Sequence, residues 1–174
     1  MANLKPEVKW KCRCDSVTKQ SLDAVDRRIV ELLVHNARIS NHAVAEAVSM
    51  AESTSYSRMR ALIESGVIKG FHADVDFAAI GQPLRAVVLV QVHPNCRSQL
   101  LEEAQRIAGV PGVLEVQFLA GTFDLMIQTA FADSATLRDF VVKELSSSTA
   151  ISSTNTSVVM DTFNGETPIT PSAG

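Results

Sequence analysis

The sequence contains no apolar run close to the roughly 20 residues that span a bilayer. Its first 30 residues also lack the continuous apolar stretch of about 7–15 residues that a secretory signal needs. Three cysteines, two of them in Cys12-Arg13-Cys14, are too few for a secreted disulfide framework. With 46% hydrophobic and 20% charged residues, the 174-residue chain has a globular composition. We expect a cytoplasmic protein of one ordinary domain or two small ones, with no membrane partner.

The motifs of common enzyme classes are also missing. There is no Gly-x-Gly-x-x-Gly or Gly-x-x-x-x-Gly-Lys phosphate loop, no His-Glu-x-x-His and no Gly-x-Ser-x-Gly. The four histidines have no metal-ligand spacing, and Cys12 and Cys14 lack the second pair of ligands that a zinc site needs. We therefore expect no catalytic residue, no metal site and no cofactor, and we do not interpret the chain as an enzyme.

Charge is distributed unevenly along the chain. Residues 1–20 carry five Lys and Arg against two Asp and Glu, residues 21–70 carry six against six, and residues 71–174 carry five against eleven. Residues 1–20 show no periodicity and are predicted to be a basic, flexible arm, either a solvated tail or a segment that contacts phosphates. The acidic C-terminal part would repel an anionic partner, so we expect such a partner to contact residues 1–70.

Residues 21–70 are predicted to form a helix-turn-helix domain. Apolar residues recur at helical spacing in three segments, 22–33, 44–48 and 56–63. Only about three residues separate the second and third segments, as in a helix-turn-helix motif. Tyr56 shares a face with Met59 and Ile63, so we expect it in the core.

The predicted third helix has a polar face suited to a DNA groove. Short hydroxyl side chains and arginines fit between base edges and phosphates and can bond to either. The residues expected to contact DNA are Ser53, Thr54, Ser55, Ser57, Arg58 and Arg60 on this helix, with Arg38 and Lys69 on the DNA backbone. Spacing alone leaves open a plain three-helix bundle with a solvated polar face.

The periodicity changes after the third helix. Residues 67–74 alternate loosely and predict a strand, and residues 71–83 are assigned to this strand and a linker with turn chemistry. Residues 84–162 follow the order β-α-β-β-α-β, which predicts an α+β, ferredoxin-like sandwich with an antiparallel sheet and both helices on one face. Residues 163–174 are expected to be a frayed tail.

Apolar residues on the predicted strands indicate self-association. These residues cannot all face the helices, so some of them must make the other side of the sheet apolar. They are Val87, Leu89, Val116, Phe118 and Val158. If both faces of the sheet are apolar and the helices cover only one, something else must cover the second face. We expect another copy of the chain to do so, which gives a homo-oligomer.

Five short motifs occur in a fixed order along the chain. They are Leu22-Asp23-x-x-Asp26-x-x-Ile29, Arg38-Ile39-Ser40, the segment from Arg58 to Gly70, Val113-x-x-Val116, and Gly121-Thr122-Phe123-Asp124-Leu125. Together with the order of elements, they resemble the Lrp/AsnC family of transcriptional regulators. The resemblance implies a winged-type helix-turn-helix domain followed by an effector-binding and oligomerisation domain, the RAM domain. It also implies dimers that assemble further into tetramers or octamers.

The resemblance further implies an amino-acid effector bound between C-terminal modules. Gly121 would let the backbone approach a ligand, and exposed amide groups of its turn could hold a carboxylate. Asp124 could pair with an α-ammonium group. The expected effector contacts are Ala120, Gly121, Thr122, Phe123, Asp124 and Gln128. A plain β-hairpin turn capped by Asp124 is the alternative.

The sequence departs from the family pattern at several positions. Ser49 stands where the family usually has glycine in the helix-turn-helix turn, Ala51 where it has a capping serine, and Phe123 where it has tyrosine. We predict a sequence-specific DNA-binding regulator that responds to an amino acid or related metabolite. The alternative is a stand-alone amino-acid-binding oligomeric module with weak or lost DNA binding, which the arginines on the third helix argue against.

Overall fold

A computed structural model describes residues 22–163 and Gly165. They fall into two compact units, an N-terminal one that ends at Ala73 and a C-terminal one, Asp74–Gly165. The basic arm and almost all of the predicted tail lie outside the described residues. No described helix is both long enough and apolar enough to cross a membrane.

The N-terminal unit consists of three helices, α1 (Ala24–His35), α2 (Asn41–Ala47) and α3 (Glu52–Glu64). Asp23 caps α1 by accepting a hydrogen bond from the Asp26 amide at 2.8 Å, and Ser40 caps α2 by accepting one from the Ala43 amide at 3.1 Å. These bonds satisfy amide groups that a helix start otherwise leaves unpaired. Ala51 is the N-cap residue of α3 and makes no side-chain capping bond.

A buried apolar cluster holds the three helices together. It contains Ile29 and Leu33 of α1, Val44 of α2 and Leu62 of α3. The turn between α2 and α3 contains Ser49 with a φ of 54°, a left-handed conformation that favours glycine. The departure from glycine at this position therefore leaves local backbone strain in the turn.

The strand expected over residues 67–74 is absent. Gly66, with a φ of 77°, ends α3, and residues 65–83 form turns and irregular backbone. Ile68 packs against the helical cluster, and its amide donates to the Leu62 carbonyl. A strand needs a partner for its backbone groups, and no described segment pairs with this one, so the N-terminal unit has no wing strand within residues 22–73.

The C-terminal unit has the predicted ferredoxin-like fold. A four-stranded antiparallel sheet has the order β2-β3-β1-β4. In chain order the elements are β1 (Leu84–Val92), a 3-10 turn (Pro94–Gln99), α4 (Leu100–Ala108), β2 (Val113–Phe118), β3 (Leu125–Phe131), α5 (Ser134–Phe140) with its π-helical continuation (Val141–Ser146), and β4 (Ile151–Val158). Asp133 caps α5 by accepting from the Thr136 amide.

The helices cover one side of the sheet. Val88 and Val90 of β1 share a buried cluster with Ile107 of α4 and Leu137 of α5. Of the five apolar strand residues singled out in the sequence, the strand register puts three on this helix side, namely Val116, Phe118 and Val158. The other two lie on the open side of the sheet.

The open side is apolar only at its centre. Leu89 of β1 pairs with Met126 of β3, and Val87 lies beside them, all three half-buried. The outer strands put polar residues on this side, with Gln117 opposite Met126 and Asn155 opposite Leu89. The expectation of a broadly apolar second face is therefore too strong, because the edge strands contribute mainly polar side chains to it.

Candidate nucleic-acid interface and effector loop

The inward face of α3 is set by Leu62, Met59 and Ser55, which follow one another at intervals of about one turn. Ser55 is completely buried, and its hydroxyl has no hydrogen-bond partner among the described residues. The prediction that Ser55 points outward to DNA is therefore wrong. A helix residue two turns before a core leucine lies on the same side of the helix, whatever its polarity.

The outward face of α3 carries Ser53, Thr54, Ser57 and Arg60, all exposed as predicted. Tyr56 joins them, since 53% of its surface is exposed. The prediction that Tyr56 lies in the core is wrong. Tyr56 directly follows the buried Ser55 and therefore lies on a different side of the helix. Its exposure was the feature that sequence reasoning missed on this helix.

Arg58 is not directed freely into solvent. Its Nη1 donates to Asp23 Oδ2 at 2.7 Å and to Asp26 Oδ1 at 2.8 Å. The carboxylates of Asp26 and Asp23 raise the pKa of the Arg58 guanidinium above its ordinary value. The Asp26 amide and Arg58 in turn lower the pKa of Asp23. The prediction of an outward Arg58 is corrected: the side chain joins α3 to the start of α1.

The other basic residues expected to contact DNA are exposed. Arg60 has two thirds of its side chain in solvent and pairs with Glu64 at 2.7 Å, one turn further along α3. Arg38 and Lys69 are also exposed. Their side chains are therefore accessible to an anionic partner.

An ion pair that the sequence did not indicate connects α2 to the first turn of α3. His42 Nδ1 lies 2.7 Å from Glu52 Oε1. This hydrogen bond raises the pKa of His42 above its ordinary value. Asn41 adds a second connection, since its Nδ2 donates to the Glu52 carbonyl at 3.0 Å. The two bonds fix the start of α3 against α2.

The predicted effector loop joins β2 to β3 as a tight connection. The Leu119 amide donates to the Asp124 carbonyl, and the Asp124 amide donates to the Val90 carbonyl, both at 2.9 Å. Asp124 is buried, with 9% of the residue's surface exposed. Its Oδ2 accepts from the Val92 amide at 2.8 Å, and its Oδ1 lies 3.5 Å from Arg97 Nη2. Asp124 therefore anchors the loop to β1 through one oxygen and faces a largely exposed guanidinium with the other.

The rest of the loop is accessible. Ala120, Gly121 and Thr122 are exposed, and Phe123 is half-buried. A Cβ atom built at Gly121 would have no atom within 4 Å, so there is open space beside this residue. Gln128 lies further along β3 on the open side of the sheet, where its amide donates to Glu115 at 3.4 Å. Residues 120–124 are thus contiguous, whereas Gln128 belongs to another surface.

No group of three or more His, Cys, Asp or Glu side chains suited to a metal ion occurs in the part of the chain that the structure describes. The N-terminal unit is a helix-turn-helix whose third helix has an exposed polar face. The C-terminal unit is a ferredoxin-like module with an exposed loop between β2 and β3. This combination defines a DNA-binding transcriptional regulator with a ligand-binding domain.

Two family models match the sequence. The AsnC-type helix-turn-helix domain matches residues 22–63, and the Lrp/AsnC ligand binding domain matches residues 85–169. The chain belongs to the Lrp/AsnC family of transcriptional regulators, which are not enzymes.

Curated relatives agree with this assignment. The HTH-type transcriptional regulator AldR of Mycobacterium tuberculosis is 39% identical over 153 residues, which cover 88% of this chain and 86% of that protein. The transcriptional regulator AzlB of Bacillus subtilis is 31% identical and covers 81% of this chain and 90% of its own.

Solved structures share the fold. The crystal structure of MtbAldR is 37% identical, with a TM-score of 0.70 over 84% of this chain and 100% of that one. The Neisseria meningitidis regulator NMB0573, solved as an L-Met complex, is 24% identical, with a TM-score of 0.75 over 87% of this chain and 97% of its own.

Proposed function

We propose that this regulator binds specific operator sequences through the N-terminal half of α3 and responds to an amino acid at the loop of residues 120–124. The observation that carries the DNA part is the exposed face of α3, where Ser53, Thr54, Ser57 and Arg60 lie side by side. N-terminal residues of a recognition helix reach base edges in the major groove. Arg38 and Lys69 contact the phosphate backbone in this proposal.

Sequence selection from a random duplex library tests this proposal. The full chain is incubated with the library, bound duplexes are amplified, and the enriched site is measured by fluorescence anisotropy against a scrambled duplex at fixed salt. We expect a specific site bound at least a thousandfold more tightly than the scrambled one, as for other specific regulators. Equal binding of both duplexes would favour the alternative, an effector-binding module without operator recognition.

We also propose that two copies associate through the open side of the sheet. Val87, Leu89 and Met126 form an apolar centre, and Gln117 and Asn155 belong to a polar surround. An apolar core with a polar rim is the usual anatomy of a protein interface. A dimer brings two recognition helices to half-sites spaced by one or more turns of DNA, and further association gives tetramers or octamers. Light scattering that gives a monomer mass at micromolar concentration contradicts this.

The proposed effector site has two binding positions, one for each charged group of an amino acid. Exposed backbone at Gly121 and Thr122 receives the carboxylate, and Asp124 Oδ1 receives the ammonium group. That oxygen now faces Arg97 at 3.5 Å, a long contact with a side chain that is 64% exposed. Because Arg97 is largely exposed and its contact is long, an ammonium group can take its place beside Oδ1 while Oδ2 keeps the bond from the Val92 amide.

A thermal-shift screen of the twenty amino acids tests the effector proposal. A ligand that binds the native state raises the melting temperature by mass action. The matched variant is Asp124→Asn, which keeps an oxygen for the Val92 amide but removes the charge. We expect one or a few amino acids to shift the wild type and to shift the variant much less. An equal shift in both proteins contradicts the role of Asp124, and no shift with any amino acid contradicts amino-acid binding.

A further inference from the structure

Tyr56 is the single tyrosine of the sequence and lies on the outward face of the recognition helix. It follows Ser53 and precedes Arg60 by about one helical turn each, so the three side chains share one exposed surface. The residue has 53% of its surface exposed to solvent.

Two neighbours of Tyr56 are much smaller than the tyrosine. Ser53 and Ser57 have short hydroxyl side chains, so the phenol ring projects beyond them into the space that α3 offers to a partner. The ring gains free energy when a partner removes its apolar faces from water.

The chemistry of the major groove limits what this ring can contact. Base edges in the groove present hydrogen-bond donors and acceptors, and the apolar group among them is the C5-methyl of thymine. The N-terminal half of a recognition helix is the part that reaches those edges, and Tyr56 lies in that half of α3.

We propose that Tyr56 is a specificity-determining residue that packs its ring against the C5-methyl group of a thymine in the operator. This inference rests on the sequence-specific binding proposed above. It predicts that the aromatic ring, and not the hydroxyl, carries the contribution. Arg60 and the serines then read or orient neighbouring positions by hydrogen bonds.

A thymine-to-deoxyuracil scan tests the contact at the level of one methyl group. Each thymine of the selected operator is replaced in turn, and the Kd of the full-length wild type, Tyr56→Phe and Tyr56→Ala is measured by anisotropy at fixed salt. For the wild type we expect about fourfold weaker binding at one position in each half-site, the value for one methyl group removed from water. Tyr56→Phe should keep this penalty, and Tyr56→Ala should lose it while binding the unmodified operator more weakly.

Ile63→Ala is the matched control, because Ile63 is an exposed apolar residue at the other end of α3. It should show the same deoxyuracil penalties as the wild type. Two results would overturn the methyl contact while leaving specific binding intact. One is a deoxyuracil penalty that persists in Tyr56→Ala. The other is a Tyr56→Phe variant that binds the operator as weakly as Tyr56→Ala does. A wild type that selects no sequence at all overturns the proposed function, and the inference with it.

Discussion

The guanidinium of Arg58 in α3 donates to the carboxylate of Asp26 in α1 at 2.8 Å. The same Nη1 also reaches Asp23 at 2.7 Å, and Asp23 is the residue that caps α1. One arginine thus fixes the recognition helix to the start of the first helix. We therefore expect Arg58 to contribute to DNA binding by orienting α3, and Arg60 to contribute through its own charge.

Replacement of each arginine by methionine separates these two roles. Arg58→Met should lower the melting temperature, because it leaves two carboxylates without their partner, and should leave the salt dependence of DNA binding unchanged. Arg60→Met should keep the melting temperature and reduce the slope of log Kd against log salt by about one, because it removes one positive charge that offsets the charge of the DNA phosphates. A reduced slope for Arg58→Met, with unchanged melting temperature, contradicts the positioning role.

Ser55→Ala should stabilise the N-terminal unit. The Ser55 hydroxyl is fully buried and has no partner among the described residues. A buried polar group without a hydrogen bond costs about 1–3 kcal/mol, which alanine removes at the expense of a small cavity. Urea unfolding should show a higher midpoint, and operator affinity should be unchanged. Loss of operator affinity in a variant that is at least as stable as the wild type would mean that Ser55 contacts DNA after all.

Ser49→Gly should also stabilise this unit. Ser49 has a φ of 54°, a conformation that costs a non-glycine residue about 1–2 kcal/mol. Part of this gain is offset because glycine has more freedom in the unfolded chain, so we expect a net increase of about 0.5–1 kcal/mol in the free energy of unfolding. Ser49→Ala is the control and should give no increase. Equal stability of the glycine and alanine variants contradicts strain at this turn.

Apart from the strand expected over residues 67–74, the sequence was sufficient to predict the fold because both units follow simple periodicities. The helical spacing of residues 22–63 and the alternation along β1 are local patterns that can be recognised directly in the sequence. The recognition helix shows the limit of this reasoning. Met59 fits two helical series. The series Tyr56, Met59 and Ile63 is the more hydrophobic, and its hydrophobicity favours burial. The structure instead turns the series Ser55, Met59 and Leu62 toward the core.

Contacts between distant residues lay beyond the sequence argument. Arg58 and Asp23 are 35 positions apart, and no spacing rule connects them. The motif around Asp124 identified the loop, but its bond to the Val92 amide depends on how β1 and β3 pair. Local patterns therefore located the candidate surfaces, and tertiary packing decided which side chains on them are available.

The C-terminal unit should lose stability in acid through Glu103. Arg106 Nη2 lies 2.8 Å from Glu103 Oε1, and a second nitrogen lies 3.0 Å from Glu144 Oε2. The bonds from Arg106 hold the pKa of Glu103 below its ordinary value of 4.5. A carboxyl with a lowered pKa in the folded state stabilises that state above its ordinary pKa and stops doing so as the pH falls through the lowered value.

The variant Arg106→Met tests this linkage. Its free energy of unfolding should lie below that of the wild type at pH 7, and the difference should shrink as Glu103 becomes protonated in both proteins at acidic pH. The control is Lys143→Met, which removes the exposed pair with Asp139 and should have a much smaller effect. A difference for Arg106→Met that stays constant down to pH 3 contradicts the ionic origin.

Two glycines of the C-terminal unit should differ in their response to alanine. Gly112 has a φ of 91°, and a Cβ atom there would lie 2.3 Å from Phe131 Cε1. Gly112→Ala should therefore cost about 2 kcal/mol or more in unfolding free energy. Gly121 has a φ outside the left-handed region and no atom within 4 Å of a built Cβ atom, so Gly121→Ala should leave unfolding unchanged.

The same Gly121→Ala variant tests the effector loop without disturbing the fold. In the proposed complex the ligand carboxylate approaches the backbone at Gly121, and an added methyl group occupies part of that approach. We expect the variant to melt at the wild-type temperature without ligand and to lose most of the thermal shift that the effector amino acid gives the wild type. Because free space surrounds Gly121 in the isolated chain, a lost shift comes from the ligand and not from the fold. A full shift in Gly121→Ala means that the effector binds elsewhere.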